Sequence, residues 1–235
     1  MKNSKLFWLA SLAVVFIIQS CSNDPSITGS VNLSMKATGS TTINTGGRLA
    51  GTIEITDFKI SIRDVSFKND DDANPQFDTL DVRFRGPYQL DLLNGGDALS
   101  QTIGNAVIPN GSYKEIRFKF HKDEDLPSSD NLFDRSLFVA GTIDGVPFEL
   151  SHDTSENFDV GRTTGVIVQD NTINLTVEFS IDQFLSSLNP VDLATAVDGN
   201  QDGLIEIGTN DPDGNNDLAD LIKDNIKEAA DLIKL

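Results

Sequence analysis

The chain has 235 residues, with 36 acids against 18 lysines and arginines and a formal net charge of −18. Such a surface repels phosphate backbones and anionic headgroups, which excludes nucleic acid as a partner and favours cations. Apolar residues at 38% and charged residues at 23% suit a domain with a core, and the single cysteine, Cys21, excludes an intrachain disulfide.

Lys2 and Lys5 precede an apolar run from Leu6 to Ile18. A charged start and a short hydrophobic middle form the pattern of a secretory signal, and the run is shorter than the ~20 apolar residues of a membrane-spanning helix. It ends in Ile18-Gln19-Ser20-Cys21, which resembles the lipobox of bacterial lipoproteins. That resemblance implies a lipoprotein signal peptide over 1–20, acylation of Cys21, and a polar tether over 21–28. Acyl chains on Cys21 would hold the protein on a membrane of the bacterial cell envelope without a spanning helix. Ser22 is not the aspartate that marks inner-membrane retention in some bacteria, so the outer membrane is expected over the inner.

The mature chain reads as strands. Val31, Leu33 and Met35 alternate, and a Gly/Thr/Ser-rich loop follows over 38–47. Ile53 and Ile55 alternate, then Phe58, Ile60 and Ile62 alternate in the opposite phase, which predicts a bulge near Thr56 and Asp57. The acidic run Asp70-Asp71-Asp72 reads as a solvated loop. Further strands follow at Leu80–Phe84, Tyr88–Leu92 and a segment ending near Ile108, separated by Gly86-Pro87 and by Asn94-Gly95-Gly96. Pro109-Asn110-Gly111 turns the chain into the clearest strand, where Ile116, Phe118 and Phe120 alternate with Glu115, Arg117 and Lys119. Asp144-Gly145 between two apolar runs predicts a hairpin, and Ile173 to Phe179 gives the last strand.

After residue 180 the period changes. Ser180-Ile-Asp-Gln183 is a capping-box sequence before Phe184, Leu185 and Leu188. Leu218, Leu221, Ile222, Ile226, Ala229, Leu232 and Ile233 form a helical stripe, predicting a terminal amphipathic helix about 27 Å long. Residues 29–180 are therefore expected as a mainly β, antiparallel β-sandwich, and 181–235 as a short helical appendage around an Asp-rich loop.

Tyr88-Gln-Leu-Asp-Leu-Leu-Asn-Gly95, followed by Pro109-x-Gly111-x-Tyr113-x-x-Ile116-Arg117-Phe118, resembles the domain of unknown function 4382 family of prokaryotic lipoproteins and secreted proteins, over about residues 29–180. The resemblance implies an immunoglobulin-like sandwich and assigns no chemistry. A serine hydrolase site would need a base, and only His121 and His152 are available; both are expected as solvated surface residues. Sugar sites usually stack on aromatic faces, and outside the signal the chain has Tyr88 and Tyr113 but no Trp. The expectation is thus a non-enzymatic, acyl-anchored binding or structural module with an envelope protein as partner. The alternative is an accessory glycan-binding lipoprotein of a nutrient-uptake system.

One motif suggests a cofactor. Asp198, Asn200 and Asp202 occupy positions 1, 3 and 5 of an EF-hand-type loop with Gly203 at position 6. The Leu204 carbonyl would serve position 7 and Glu206 position 9, while Thr209 stands where a bidentate Glu is usual. Asp211, Asp213 and Asp217 follow in a spacing that resembles thrombospondin-type calcium modules. Structural calcium is expected here, against the alternative that these residues form metal-free turns.

Overall fold

In the computed structural model, the described residues are 28–44, 51–69, 81–186, 192–226 and 229–234. The signal peptide, Cys21 and the run Asp70-Asp71-Asp72 lie outside them. The elements in order are β1 Thr28–Thr38, β2 Thr42–Asn44, β3 Thr52–Asn69, β4 Asp81–Phe84, β5 Tyr88–Asn94, β6 Asp97–Ala98 and β7 Ser100–Pro109. Then come β8 Gly111–Phe120, β9 Leu137–Ile143, β10 Val146–His152, β11 Asn157–Val168, β12 Thr172–Ser180 and α1 Ile181–Ser186. The chain ends with β13 Ile205–Ile207, α2 Asn216–Asn225 and β14 Ala230–Lys234. No described helix is long and apolar enough to cross a membrane.

The protein is mainly β, with two mixed sheets. One runs β14-β12-β1-β7; the other has the spine β11-β8-β3-β9-β10-β13, with β2, β4 and β5 also on β3. Strand alternation decides which faces meet. Val31, Leu33, Met35 and Ala37 of β1 are buried, as are Ile173, Leu175, Val177 and Phe179 of β12, while the residues between them are not on the core face. On β8 the buried set is Tyr113, Ile116, Phe118 and Phe120. These faces form one core cluster.

The phase change in β3 is a bulge: its register against β9 shifts between Ile55 and Asp57. Beside it, a Cβ on Gly141 would collide with the Glu54 carbonyl, so β9 needs glycine to lie this close. β3 then changes partner at Ser61, whose N–H donates to Ser136 O (2.9 Å) and whose carbonyl accepts from His121 N (3.0 Å). The Asp144-Gly145 hairpin joins β9 and β10 with both residues at positive φ (51° and 82°), the type I′ geometry that matches strand twist. Where the chain crosses from β7 in one sheet to β8 in the other, the Tyr113 hydroxyl donates to Pro109 O at 2.7 Å. That bond from the start of a strand back to the preceding crossing is the geometry of a tyrosine corner.

Two expectations need correction. The sheets are not purely antiparallel: β1 pairs with β12 in parallel, and so does β10 with β13. The terminal helix is not continuous either. α2 stops at Asn225, and Ala230–Lys234 pairs antiparallel with β12 as β14. The helical stripe lost to tertiary pairing, since five residues completing a ladder along β12 satisfy backbone groups that a fraying helix end leaves open.

Phe118 is fully buried, stacked on Phe158 at 4.9 Å, whereas Arg117 makes a partly exposed bidentate pair with Asp159 (both 2.6 Å). Phe118→Ala should lower unfolding free energy by about 3–5 kcal/mol and Arg117→Ala by about 1 kcal/mol or less, read from urea denaturation. Equal losses would mean the strand faces are assigned wrongly.

Candidate functional site

The segment after α1 has little regular structure, so its side chains must satisfy its backbone. Asp192 accepts from Ala194 N (3.1 Å) and caps a single 3-10 turn, Leu193–Thr195, that buries Leu193. The Asp198 carboxylate then accepts from Asp202 N (3.1 Å) and Gly203 N (2.9 Å). Asn200 Oδ1 accepts from Asp202 N at 2.9 Å, and Asp202 Oδ1 from Leu204 N at 2.9 Å. Gln201 and Gly203 take positive φ (63° and 91°), which closes this tight loop. β13 then lies parallel on Phe148–Leu150 of β10.

The second loop grips the first. Asp211 Oδ1 accepts from the N–H groups of Asp213 (2.9 Å), Gly214 (2.7 Å) and Asn215 (3.0 Å), and Oδ2 from Gly208 N (3.2 Å). Asp213, buried, reaches across to Asn200 N (3.0 Å) and Glu206 N (2.7 Å). Asn215, also buried, accepts from Val197 N (3.1 Å) and donates to the carbonyls of Val197 (2.8 Å) and Glu206 (2.7 Å). It thereby stitches the two loops together immediately before α2. Asp217 is exposed in the first turn of α2, where its charge complements the helix dipole.

The expected ligand set therefore divides in two. A carboxylate offers about four lone-pair sites. Asp211 has four N–H donors, and Asp213 holds backbone N–H groups of both loops, so these two are organisers of the chain. Asp198 accepts two bonds, Asp202 accepts two, one of them from Asn200 Nδ2 (3.0 Å), and Asn200 Oδ1 accepts one, so each keeps unused lone pairs on one loop, and the Leu204 carbonyl follows them. Among the described residues, no three His, Cys, Asp or Glu side chains gather closely enough to hold a metal. Two carboxylates and one amide are what the first loop offers, and Asp217 is not part of that group.

Electrostatics sharpen the division. Burial first, then the carboxylates of Asp202, Asp213, Glu149 and Asp211, raise the Glu206 carboxyl above its usual range. The Glu206 N–H first, with those of Asn200 and Gly199, lowers Asp213 below its own. Glu149 faces Glu206 directly across β10 and β13, a like-charge pair that costs stability.

Beside this seam lies a polar cleft of about 230 Å³, lined among others by Arg135, Glu149, Asp153 and Glu206. His152 also borders it, and here the expectation of a solvated histidine fails: the residue is only 7% exposed. Its Nδ1 lies 3.7 Å from Asp153 and its Nε2 3.6 Å from Asp220, with no hydrogen bond at either nitrogen. Tyr113 is buried and Tyr88 packs against the core, so Tyr113 offers no face for a sugar. Sequence reasoning missed Asn215 and Glu149. Asn215 stands at the N-cap of α2 without a side-chain cap bond, its amide bridging Val197 and Glu206 instead, and no sequence signal pairs Glu149 with Glu206. No family model, curated protein or solved structure matches the chain.

The two shifted carboxyls predict opposite pH behaviour. A lowered folded pKa stabilises above the ordinary Asp value of about 3.9, and the benefit is lost as pH falls through the folded value. A raised one penalises folding once pH passes the ordinary Glu value of about 4.3. Asp213→Asn should therefore destabilise at about pH 7 with a deficit that shrinks below about pH 4, whereas Glu206→Gln should stabilise at about pH 7 and be neutral at about pH 4. Denaturant midpoints at both pH values check the signs, and a stabilising Asp213→Asn would refute the loop assignment.

Proposed function

We propose that this chain is an acyl-anchored, non-enzymatic lipoprotein of the bacterial envelope, the outer membrane rather than the inner. In this reading its immunoglobulin-like sandwich is a binding or structural module, and calcium stabilises the first C-terminal loop. The observation that carries the reading is the placement of the only cysteine, Cys21, directly after a charged start and a short apolar run. The tyrosine corner at Tyr113 supports an immunoglobulin-like topology, since it occurs where such sandwiches cross between sheets. The resemblance of residues 88–118 to the family of unknown function points the same way.

Calcium is supported by the unused lone pairs of Asp198, Asn200 and Asp202, and by the neighbouring carboxylates that, after burial, raise Glu206. A divalent cation there would offset clustered negative charge and act as a stabilising ligand of the folded state. If the partner is a glycan, its planar polar contacts belong in the cleft at Arg135, Glu149 and Asp153 rather than on Tyr113.

Cys21→Ala should move the protein from the membrane fraction to the soluble or precursor pool, and an unchanged membrane fraction would end the anchor reading. Calcium in excess over chelator should raise Tm by several degrees, since saturation at 100 times Kd contributes about 2.7 kcal/mol. Asp198→Ala and Asp202→Ala should abolish that shift; a shift that survives both places the ion elsewhere.

A further inference from the structure

We propose that β7 is the contact surface for a second copy of this chain, the two copies joining edge to edge in antiparallel fashion about a two-fold axis near Asn105. β7 is the outermost strand of its sheet, and among the described residues no strand pairs beyond it. An outer strand presents a row of unpaired N–H and C=O groups, and proteins usually guard it with charge, bulges or shortness.

The other outer strands of the two sheets carry such guards. β14 contains Asp231 and Lys234. β11 contains Asp159 and Arg162, and its register against β8 breaks between Gly161 and Val166. β13 is three residues long. β7 differs in charge and length: it is ten residues, Ser-Gln-Thr-Ile-Gly-Asn-Ala-Val-Ile-Pro, with no charge at all, on a chain of net charge −18. A neutral strip is where two such anionic copies can meet without direct repulsion. β7 has one bulge, at Ile103, where the register passes from Leu33–Gly104 to Ser34–Thr102; the stretch from Gly104 to Pro109, which contains Asn105, pairs regularly with Leu33 to Thr28.

The outer face of the sheet identifies the occupant. Asn105 Nδ2 donates to Asn32 Oδ1 at 2.7 Å, and Asn32 Nδ2 donates to Asn174 Oδ1 at 2.8 Å. Three strands thus share one amide ladder, which stops at the β7 edge with the Asn105 oxygen unused. A strand with an amide opposite Asn105 would continue it. A second β7 related by a two-fold does this by symmetry, because an isologous contact sets each patch against itself. The ladder then runs through both copies as Asn174, Asn32, Asn105 and back. Val107, 57% exposed, lies two residues along β7 and is partly covered by the added strand.

Sedimentation of the full chain over a wide concentration range tests this. The weight-average mass should rise from 25.5 kDa towards twice that value. Val107→Lys should hold it at the monomer while leaving Tm unchanged, and Asn105→Asp should also hold it at the monomer, with a small loss of Tm from the broken bond to Asn32. Ile167→Lys, at an exposed position of β11, should leave dimerisation intact. In a Cys21→Ser background, Asn105→Cys should form a disulfide dimer on mild oxidation and Ile167→Cys should not. A monomer at all concentrations overturns the proposal. So does a dimer insensitive to both β7 variants, loss of dimer in Ile167→Lys, or growth beyond two copies, which a two-fold contact forbids.

Discussion

The two sheets are held in one relative position by a chain of phenylalanine rings centred on Phe158. On one side Phe158 stacks on Phe118 at 4.9 Å and meets Phe120 at 4.8 Å, all in the larger sheet. On the other its edge meets Phe179 of β12 at 5.7 Å, across the interior. Phe179 continues to Phe58 at 5.8 Å, and Phe58 to Phe184 of α1 at 5.6 Å. Each ring removes a large apolar area from water, and edge-to-face pairs add about 0.5–1.5 kcal/mol beyond that burial. Because these geometries are specific, the cluster does more than glue the layers. It sets where β12 ends and α1 begins, and so where the chain is delivered to its C-terminal loops.

Those loops solve a different problem. Between α1 and α2 there are few ladders, so backbone donors would go unpaired wherever water is excluded. Asp and Asn side chains replace the ladder: Asp211 collects the N–H groups at the entry to α2, Asp213 ties the two loops, and Asn215 closes three bonds at once. The same residue types that suggest metal chemistry in a sequence are thus also those best suited to folding a chain without regular structure. Counting donors sets Asp211, with four, apart from Asp198 and Asp202, with two each, and Asp213 is set apart by joining the two loops.

Much of the fold was legible because it rests on local patterns. The alternation at Ile116, Phe118 and Phe120, the bulge after Ile55 and the Asp144-Gly145 hairpin each follow from residues adjacent in sequence. What could not be read depends on distant partners. Nothing in Val31–Ala37 announces a parallel neighbour, and the stripe at Leu232 and Ile233 gives no sign that β12 offers an open edge. His152 beside Asp153 reads as surface until β10 is seen to turn its ring towards α2. In the candidate site, the loop from Asp198 to Gly203 was visible, but the cross-ties from Asp213 and Asn215 were not, since they join segments whose approach only the fold decides.

The place of β1 in its sheet has a consequence for how the molecule comes together. Its neighbours are β7 and β12, and the bond between Ser34 and Thr176 spans 142 residues. The first described strand therefore has no complete set of partners until nearly the whole chain is present. Such a closure carries a large loop entropy and slows the search for the native pairing. The larger sheet closes over shorter spans: Thr56 of β3 and Ala140 of β9 are 84 residues apart. Until β7 and β12 are in place, β1 leaves Val31, Leu33 and Met35 uncovered.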